Sequence, residues 1–366
     1  ASLIGNCAQP NDFERKESST RISQKMFGEP EYLLPVAVVF GCTAIYKILT
    51  GNQCPREHPA DATLEKPKKV IVIGAGVAGL SLATFLVKCG YEVEVYEQAS
   101  QLKPNVGGGF ELGSAAVLLA RAGFEQDLRT LARPIKQFRV ALSQARVCTW
   151  DMRKIVGKMK DYGYGKLFGV TGTIMRDDLQ LLLANRLPEG TIRLSKRIES
   201  YTETATGVIA HFEDGTSTTG DLLAGADGIH SKLRELLYGP TKKTYSGVSM
   251  TYMVCPRSAL SPEMLQTAET EHDDSLYVGF PGGGLQLFLA QSNSTFNTGV
   301  VMREDEPGDE AWTAVDKAAV IALCKKHSVD NWLGGLISEC QVKADRVFKY
   351  FIYSHLPLKA GLPWHK

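Results

Sequence analysis

This 366-residue sequence predicts an α/β fold: a Rossmann-like nucleotide-binding domain with an inserted β-sheet domain. Three observations predict it. The β-branched run Lys69–Ile73 leads directly into a glycine turn, Gly74-Ala75-Gly76-Val77-Ala78-Gly79, which opens a segment of helical apolar spacing. A short alternating strand, Tyr91–Tyr96, follows and stops at an acid, Glu97. Past residue 240 the periodicity becomes that of strands, with the turn Gly282-Gly283-Gly284 among them.

The bulk composition agrees. With 44% hydrophobic and 22% charged residues the chain can bury a substantial core. Lys and Arg number 41 against 40 Asp and Glu, so there is no basic excess of the kind a nucleic-acid partner requires. The eight cysteines are scattered without a C-x-x-C pair, and the seven histidines do not cluster. Reduced thiols and no metal site are therefore expected.

About 68 residues precede the first strand. Residues 1–31 are polar and of mixed charge, and residues 50–68 carry Pro55, Pro59 and Pro67 and read as a linker. Between them Tyr32 to Leu49 is apolar and 18 residues long, the lower edge for crossing a bilayer. Two readings stand: a membrane contact, or a short hydrophobic helix or hairpin packing on the main domain. The expected location is intracellular, with a membrane anchor if this run inserts. A cleaved secretory signal is disfavoured because the run lies too far from the N-terminus.

Each part of the glycine turn has a physical task. Gly74 permits the tight exit from the strand, Gly76 lets backbone approach a diphosphate, and Gly79 lets the helix pack on the strand. The helix N-terminus presents unpaired N–H groups and a partial positive charge to phosphates. Leu80, Ala83, Leu86 and Val87 share one helix face, and Gly90 stops the helix. Glu97 stands where an acceptor binds the two ribose hydroxyls of an adenosine, which favours FAD or NAD over NADP.

Beyond Glu97 the chain leaves the repeating βαβ pattern of a simple NAD dehydrogenase. A loop with Gly107, Gly108 and Gly109 is followed by helical stretches from about Ser114 to Leu131. The segment starting at Thr173 and containing Arg176 opens a helix running to about Leu187. Strands are expected over Thr191–Leu194 and Arg197–Glu203, and a hairpin over Val208–Phe212 and Ser217–Thr219 around Glu213-Asp214-Gly215. The chain returns through Asp221 to Arg234, with Asp227-Gly228 followed by Ser231 and Arg234.

That last spacing, with Arg176 and the Gly107–Gly109 loop, resembles the flavin monooxygenases related to salicylate, kynurenine and para-hydroxybenzoate hydroxylases and to zeaxanthin epoxidase. The resemblance covers roughly residues 68–366. It implies a glutathione-reductase-type FAD-binding domain, FAD as cofactor and NAD(P)H as co-substrate. It also implies O₂-dependent hydroxylation or epoxidation of a small aromatic or isoprenoid molecule. The cofactor-binding residues it implies, with those of the glycine turn, are Gly74, Ala75, Gly76, Ala78, Gly79, Glu97, Gly108, Gly109, Arg176, Asp227 and Gly228. The flavin carries the oxygen chemistry, so no acid–base residue is assigned.

Strands over Thr244–Cys255, Ser275–Phe280, Leu285–Gln291 and Phe296–Met302, with helices over Ala311–Lys326 and Asn331–Ile337, make the expected substrate domain. Tyr252, Met253, Tyr277, Phe280 and Phe288 are candidate pocket lining, although alternation places each more readily in the core. The resembled family often has an arginine near Tyr252 or Met253, and this chain has none there. The expected domains are 1–67, 68–240, 241–350 and 351–366, the last an incomplete start of the return to the FAD domain. The family's third fingerprint, a strand followed by Gly-Asp, would begin about where the chain stops at Lys366. A fragment or truncated product is therefore expected. The alternatives to a monooxygenase are an inactive truncated FAD-binding protein and a related flavin reductase.

Overall fold

The computed structural model describes residues 68–102, 107–113, 115–143, 146–152, 154, 172–240, 243–272, 274–282, 284–307 and 315–355. In chain order they begin β1 (Lys69–Ile73), α1 (Val77–Lys88), β2 (Glu92–Tyr96), β3 (Gly109–Glu111), α2 (Ala115–Leu119), a π-turn (Ala120–Phe124) and α3 (Glu125–Leu131). Next are β4 (Arg133–Pro134), β5 (Gln137–Ser143), β6 (Arg146–Asp151), β7 (Gly172–Met175), α4 (Arg176–Asn185), β8 (Ile192–Arg193), β9 (Ile198–Glu203), β10 (Val208–Phe212), β11 (Ser217–Gly220), β12 (Leu222–Gly225) and α5 (Lys232–Tyr238). The remainder is β13 (Lys243–Pro256), α6 (Pro262–Thr270), β14 (Ser275–Gly282), β15 (Leu285–Gln291), β16 (Thr295–Arg303), α7 (Lys317–Lys326), α8 (Leu336–Lys343) and β17 (Arg346–His355).

The first sheet is parallel, in the order β12-β1-β2-β8. Val70 to Ile73 are buried, as a strand covered on both faces requires. On one face α1 buries Gly79, Leu80, Ala83 and Thr84 against a core that includes Leu128, Leu179 and Leu183. On the other face the antiparallel sheet β11-β10-β9 covers Ile71 and Ile73, and Tyr96 stacks on Phe212 with ring centroids 4.5 Å apart. This helix–sheet–sheet layering is the expected nucleotide-binding architecture. Each large apolar side chain so buried contributes about 1.5–3 kcal/mol. A small antiparallel sheet, β3-β7-β4, joins this unit to the second one.

The second large sheet has seven strands in the order β17-β13-β16-β15-β14-β5-β6 and is antiparallel except where β14 runs parallel to β5. Its alternation is sorted by face. Met253, Cys255, Phe296 and Val300 pack under α6, α7 and α8. Tyr252 and Val254 face the other way, toward Met175 and the first domain.

Three features depart from the sequence reading. β5 and β6 lie in sequence within the expected first domain, yet they are the far edge of the second sheet. β17 pairs with β13 as far as His355, so the expected boundary after residue 350 falls inside a strand of this sheet. The segment at Thr173 starts as strand β7, and the helix begins at Arg176. Among the described residues no helix is long and apolar enough to cross a membrane. The apolar run 32–49 and the rest of the N-terminal extension lie outside the described residues, as do residues 356–366.

A buried polar cluster ties β5 to the loop before β14. Arg139 donates from Nη2 to the Glu271 carbonyl at 2.9 Å, and its Nη1 lies 3.0 Å from His272 Nδ1. Asp274 takes Arg133 and Lys136 at 2.7 Å each. Burial first, and the Arg139 charge second, hold His272 below its ordinary value of 6.5. The unfolded chain therefore takes up a proton near that pH that the folded chain refuses. Stability from this residue is complete above about 6.5 and falls as pH drops below it, by at most about 1.4 kcal/mol per pH unit. His272→Gln is expected to flatten that acid limb, measured as urea midpoints of both proteins on either side of the window.

Candidate cofactor site

The glycine turn is built as its spacing requires. Gly74 has φ +104°, and a Cβ there would lie 2.4 Å from the Ala226 carbonyl oxygen, where the turn after β12 presses against it. A Cβ on Gly79 would lie 1.9 Å from the Gly74 oxygen. Gly76 differs: nothing stands within 4 Å of the position its Cβ would take. Gly76 also caps α1 with no side-chain hydrogen bond, and the first turn of α1 has no acid. Its N–H groups are thus aimed at an open space that suits an anion.

Glu97 is held at the rim by two backbone donors, Ala75 N–H to Oε2 at 2.8 Å and Ala99 N–H to Oε1 at 2.9 Å. From α4, Gln180 donates through Nε2 to the Ala75 carbonyl at 2.6 Å. One turn earlier on the same helix, the Arg176 side chain lies against Gly107, and the Arg176 N–H donates to the Gly108 carbonyl at 3.1 Å. A single helix face therefore braces both loops.

Asp227 lines the cleft, and its carboxylate is also bonded to the start of α5. Its Oδ1 accepts from Ser231 Oγ at 2.6 Å, and its Oδ2 accepts from the N–H groups of Lys232 at 2.7 Å and Leu233 at 3.2 Å. Ser231 Oγ in turn accepts from Arg234 N–H at 3.0 Å. The carboxylate is spent on capping α5, and this holds Gly228, with φ +82°, at the mouth of the cleft. Asp227→Ala is expected to lose about 1–2 kcal/mol of stability as a missing cap, read by thermal unfolding.

These parts surround one cleft of about 880 Å³, lined among others by Gly74, Gly76, Glu97, Arg176, Asp227 and Gly228. That is ample for a nucleotide cofactor. Ala75 and Gly79 are buried beneath it and Ala78 is exposed on α1, so these three shape the turn without lining the cleft. Tyr96, Gln180, Lys196 and His230 also line the cleft and escape the motif reading. Gln180 alone had a signal, being four residues after Arg176 on one helix face. Lys196 is already matched to Asp214 at 2.5 Å.

Gly108 and Gly109 lie apart from the cleft, against the second sheet. The Tyr252 hydroxyl donates to the Gly109 carbonyl at 2.7 Å, and a Cβ on Gly108 would lie 2.1 Å from the Tyr252 ring. Burial pushes the Tyr252 hydroxyl far above its ordinary pKa, so it remains a donor. Asn297 Oδ1 approaches Gly109 N–H at 3.4 Å. Of the candidate lining, Tyr252, Met253 and Tyr277 are buried, and Phe280 and Phe288 are half-buried. Met253 and Tyr277 face the helices.

The residues present suit the ADP half of FAD: an uncapped helix start for the diphosphate, an open glycine side, and a fixed carboxylate for the ribose. Comparisons with known proteins point the same way. The chain is similar to the 3-amino-4-hydroxybenzoate 2-monooxygenase PtnB3 of Streptomyces platensis, 34% identical over 247 residues, which are 67% of this chain and 59% of that protein. It is 32% identical to the FAD-dependent urate hydroxylase of Klebsiella pneumoniae over 201 residues, 53% of this chain and 50% of that one. It is 28% identical to the 6-hydroxynicotinate 3-monooxygenase of Pseudomonas fluorescens over 208 residues, 55% and 51% of the two chains. The chain thus spans about half the length of the curated relatives it matches. In fold it is similar to Klebsiella pneumoniae HpxO complexed with FAD and uric acid, with TM-score 0.62 at 20% identity, over 80% of this chain and 69% of that one. It is also similar in fold to CtdE in complex with FAD and a substrate, with TM-score 0.65 at 19% identity, over 81% and 70%. The profile of the FAD binding domain family matches residues 68–348, and with the fold and the cleft in agreement the chain belongs to that family.

Proposed function

We propose that this chain is the FAD-binding and substrate-facing part of a monooxygenase that uses NAD(P)H and O₂ to hydroxylate or epoxidise a small aromatic or isoprenoid molecule. The observation that carries the reading is the convergence on one cleft of the uncapped α1 start, the twice-bonded Glu97 and the Gly228 turn. In this reading α1 and the Gly74–Gly79 turn hold the diphosphate and Glu97 holds the ribose. Arg176 and the Gly107–Gly109 loop reach toward the flavin end, and Asp227 orders the turn that closes on the diphosphate. The bound flavin supplies the oxygen-transfer chemistry. The buried face around Tyr252 keeps water from the reacting end and orients the substrate.

The named relatives support a substrate that is a small ring, since urate, hydroxynicotinate and aminohydroxybenzoate occur in their names. In this division of labour residues 68–131 and 172–240 serve the cofactor, and residues 137–151 and 243–355 serve the substrate. We assign to the apolar run 32–49 a bilayer contact, tested by flotation of the full chain with lipid vesicles.

The deciding experiment is titration of the purified chain with FAD, followed by NAD(P)H oxidation under ¹⁸O₂. A flavin-coloured protein that places labelled oxygen in product is the expected result. Protein that binds no FAD would instead be an inactive member, and NAD(P)H oxidation without oxygen incorporation would indicate a reductase.

A further inference from the structure

We infer that Ser292, Thr295 and Asn297 are positioning residues: a buried polar chain that fixes the Gly107–Gly109 loop and the start of α4 against the second sheet, and through them the flavin end of the cofactor. The inference rests on the reading under Proposed function, in which Arg176 and that loop reach toward the flavin.

The chain sits on the β15–β16 hairpin. Ser292, Thr295 and Asn297 are 1%, 5% and 0% exposed. Asn297 pairs with Val254, whose face of the sheet meets Met175 and the first domain. The turn of the same hairpin grips α3, since Asn293 donates from Nδ2 to the carbonyls of Thr130 at 2.7 Å and Leu131 at 3.2 Å.

Counting donors and acceptors leaves one arrangement of protons. Ser292 Oγ accepts from the N–H groups of Thr295 at 2.9 Å and Ser294 at 3.3 Å, so its own proton goes to Thr295 Oγ1 at 2.8 Å. Thr295 Oγ1 also accepts from Asn297 Nδ2 at 3.2 Å. With both lone pairs taken, the Thr295 hydroxyl donates to Met175 Sδ at 3.3 Å. Asn297 Oδ1 is then left to accept from the Gly109 N–H at 3.4 Å. A reversed amide would set its NH₂ against that N–H, so the orientation of Asn297 is fixed from both ends.

Both ends of the chain fall on the parts that frame the flavin side. Gly109 and Met175 are partners in the β3–β7 pair, and Met175 immediately precedes Arg176 at the start of α4. Arg176 N–H bonds the Gly108 carbonyl, and its side chain lies against Gly107. Gly109 fits only as glycine here, because a Cβ would stand 3.0 Å from Asn297 Nδ2. Tyr252 holds the carbonyl of the same residue at 2.7 Å. The Gly109 peptide is thus bonded to the second sheet through both its N–H and its C=O.

Apolar residues of the same shape would serve packing alone at least as well, since buried polar groups add little net stability. What a fully paired chain adds is a single permitted geometry. The residues it governs belong to the loop and to α4, while the Gly74–Gly79 turn and Glu97 have no bond to it.

The test uses the full chain and compares Thr295→Val, which keeps the shape and removes the hydroxyl, with Thr295→Ser, which keeps the hydroxyl. Affinity is measured for FAD and for ADP-ribose, which lacks the flavin. Thr295→Val is expected to weaken FAD about 10-fold, from leaving buried partners unpaired, with ADP-ribose affinity unchanged. Thr295→Ser is expected to match the wild type. Equal losses for both ligands, or no loss for FAD, overturn the inference. A second measurement needs no variant: in the FAD-free wild-type chain the Gly109 amide is expected to be protected from hydrogen exchange, and rapid exchange there overturns the inference. A wild-type chain that takes up no FAD, seen first as absent flavin colour, overturns the reading under Proposed function and this inference with it.

Discussion

Gly76→Ala is expected to yield a normally folded protein that has lost FAD affinity by at least about 100-fold, the cost of overpacking a close backbone–ligand approach. Gly76 has φ −70° and ψ 174°, which alanine adopts freely, and its Cβ would meet no protein atom within 4 Å. The methyl group therefore costs the apo protein almost nothing and occupies the ligand's side of the turn. Gly79→Ala sharpens the contrast. Its Cβ would sit 1.9 Å from the Gly74 oxygen, so α1 must move off the strand, and about 1–3 kcal/mol of stability should go with the affinity. The pair is read by FAD titration beside thermal unfolding. Full FAD affinity in Gly76→Ala would mean that the diphosphate lies elsewhere.

Glu97→Gln is expected to weaken FAD by about 10- to 100-fold, the range for losing charge-assisted hydrogen bonds worth about 1.5–3 kcal/mol. The native carboxylate accepts one N–H on each oxygen, from Ala75 and from Ala99. An amide offers one oxygen and sets its NH₂ against the second donor. The rim residue then turns, and the lone pairs aimed at the ribose hydroxyls are misdirected. ADP-ribose should lose the same factor as FAD, because both carry the adenosine half. A loss confined to FAD would place Glu97 at the flavin end instead.

Local pattern made the first half of the molecule legible. β1, α1 and β2 are contiguous, and their periods of 2 and 3.6 need no distant partner to be read. The hairpin of β10 and β11 announced itself through Asp214 and Gly215. Gly215 takes φ +80°, and Asp214 Oδ1 accepts from the Thr216 N–H at 3.1 Å. The β5–β6 hairpin hid because Gln137–Ser143 carries Arg139 on a strand whose other neighbour, β14, comes far later in the chain. α6 carries its signals openly, with Ser261 capping Met264 and Pro262 in the first position, but its sparse apolar content masks it. Within the site the glycine positions and Glu97 were readable from spacing. The capping role of Asp227 was not, because a D-G-x-x-S spacing serves a helix start and a phosphate turn equally well.

The threading of β5 and β6 into the second sheet governs how the protein must assemble during synthesis. Their partner β14 emerges from the ribosome only after the whole nucleotide-binding layer has been made, and β17 closes the opposite edge later still. Until then the Phe138–Trp150 ring pair has no third strand beside it, and the nascent chain exposes an unpaired, aromatic sheet edge. Severing the chain between residues 240 and 243 would therefore not release two self-sufficient halves. The N-terminal piece would keep a hairpin with nothing to dock on, and the C-terminal piece would lack two of its seven strands. The two sheets should therefore melt as one cooperative body, in a single transition by any probe.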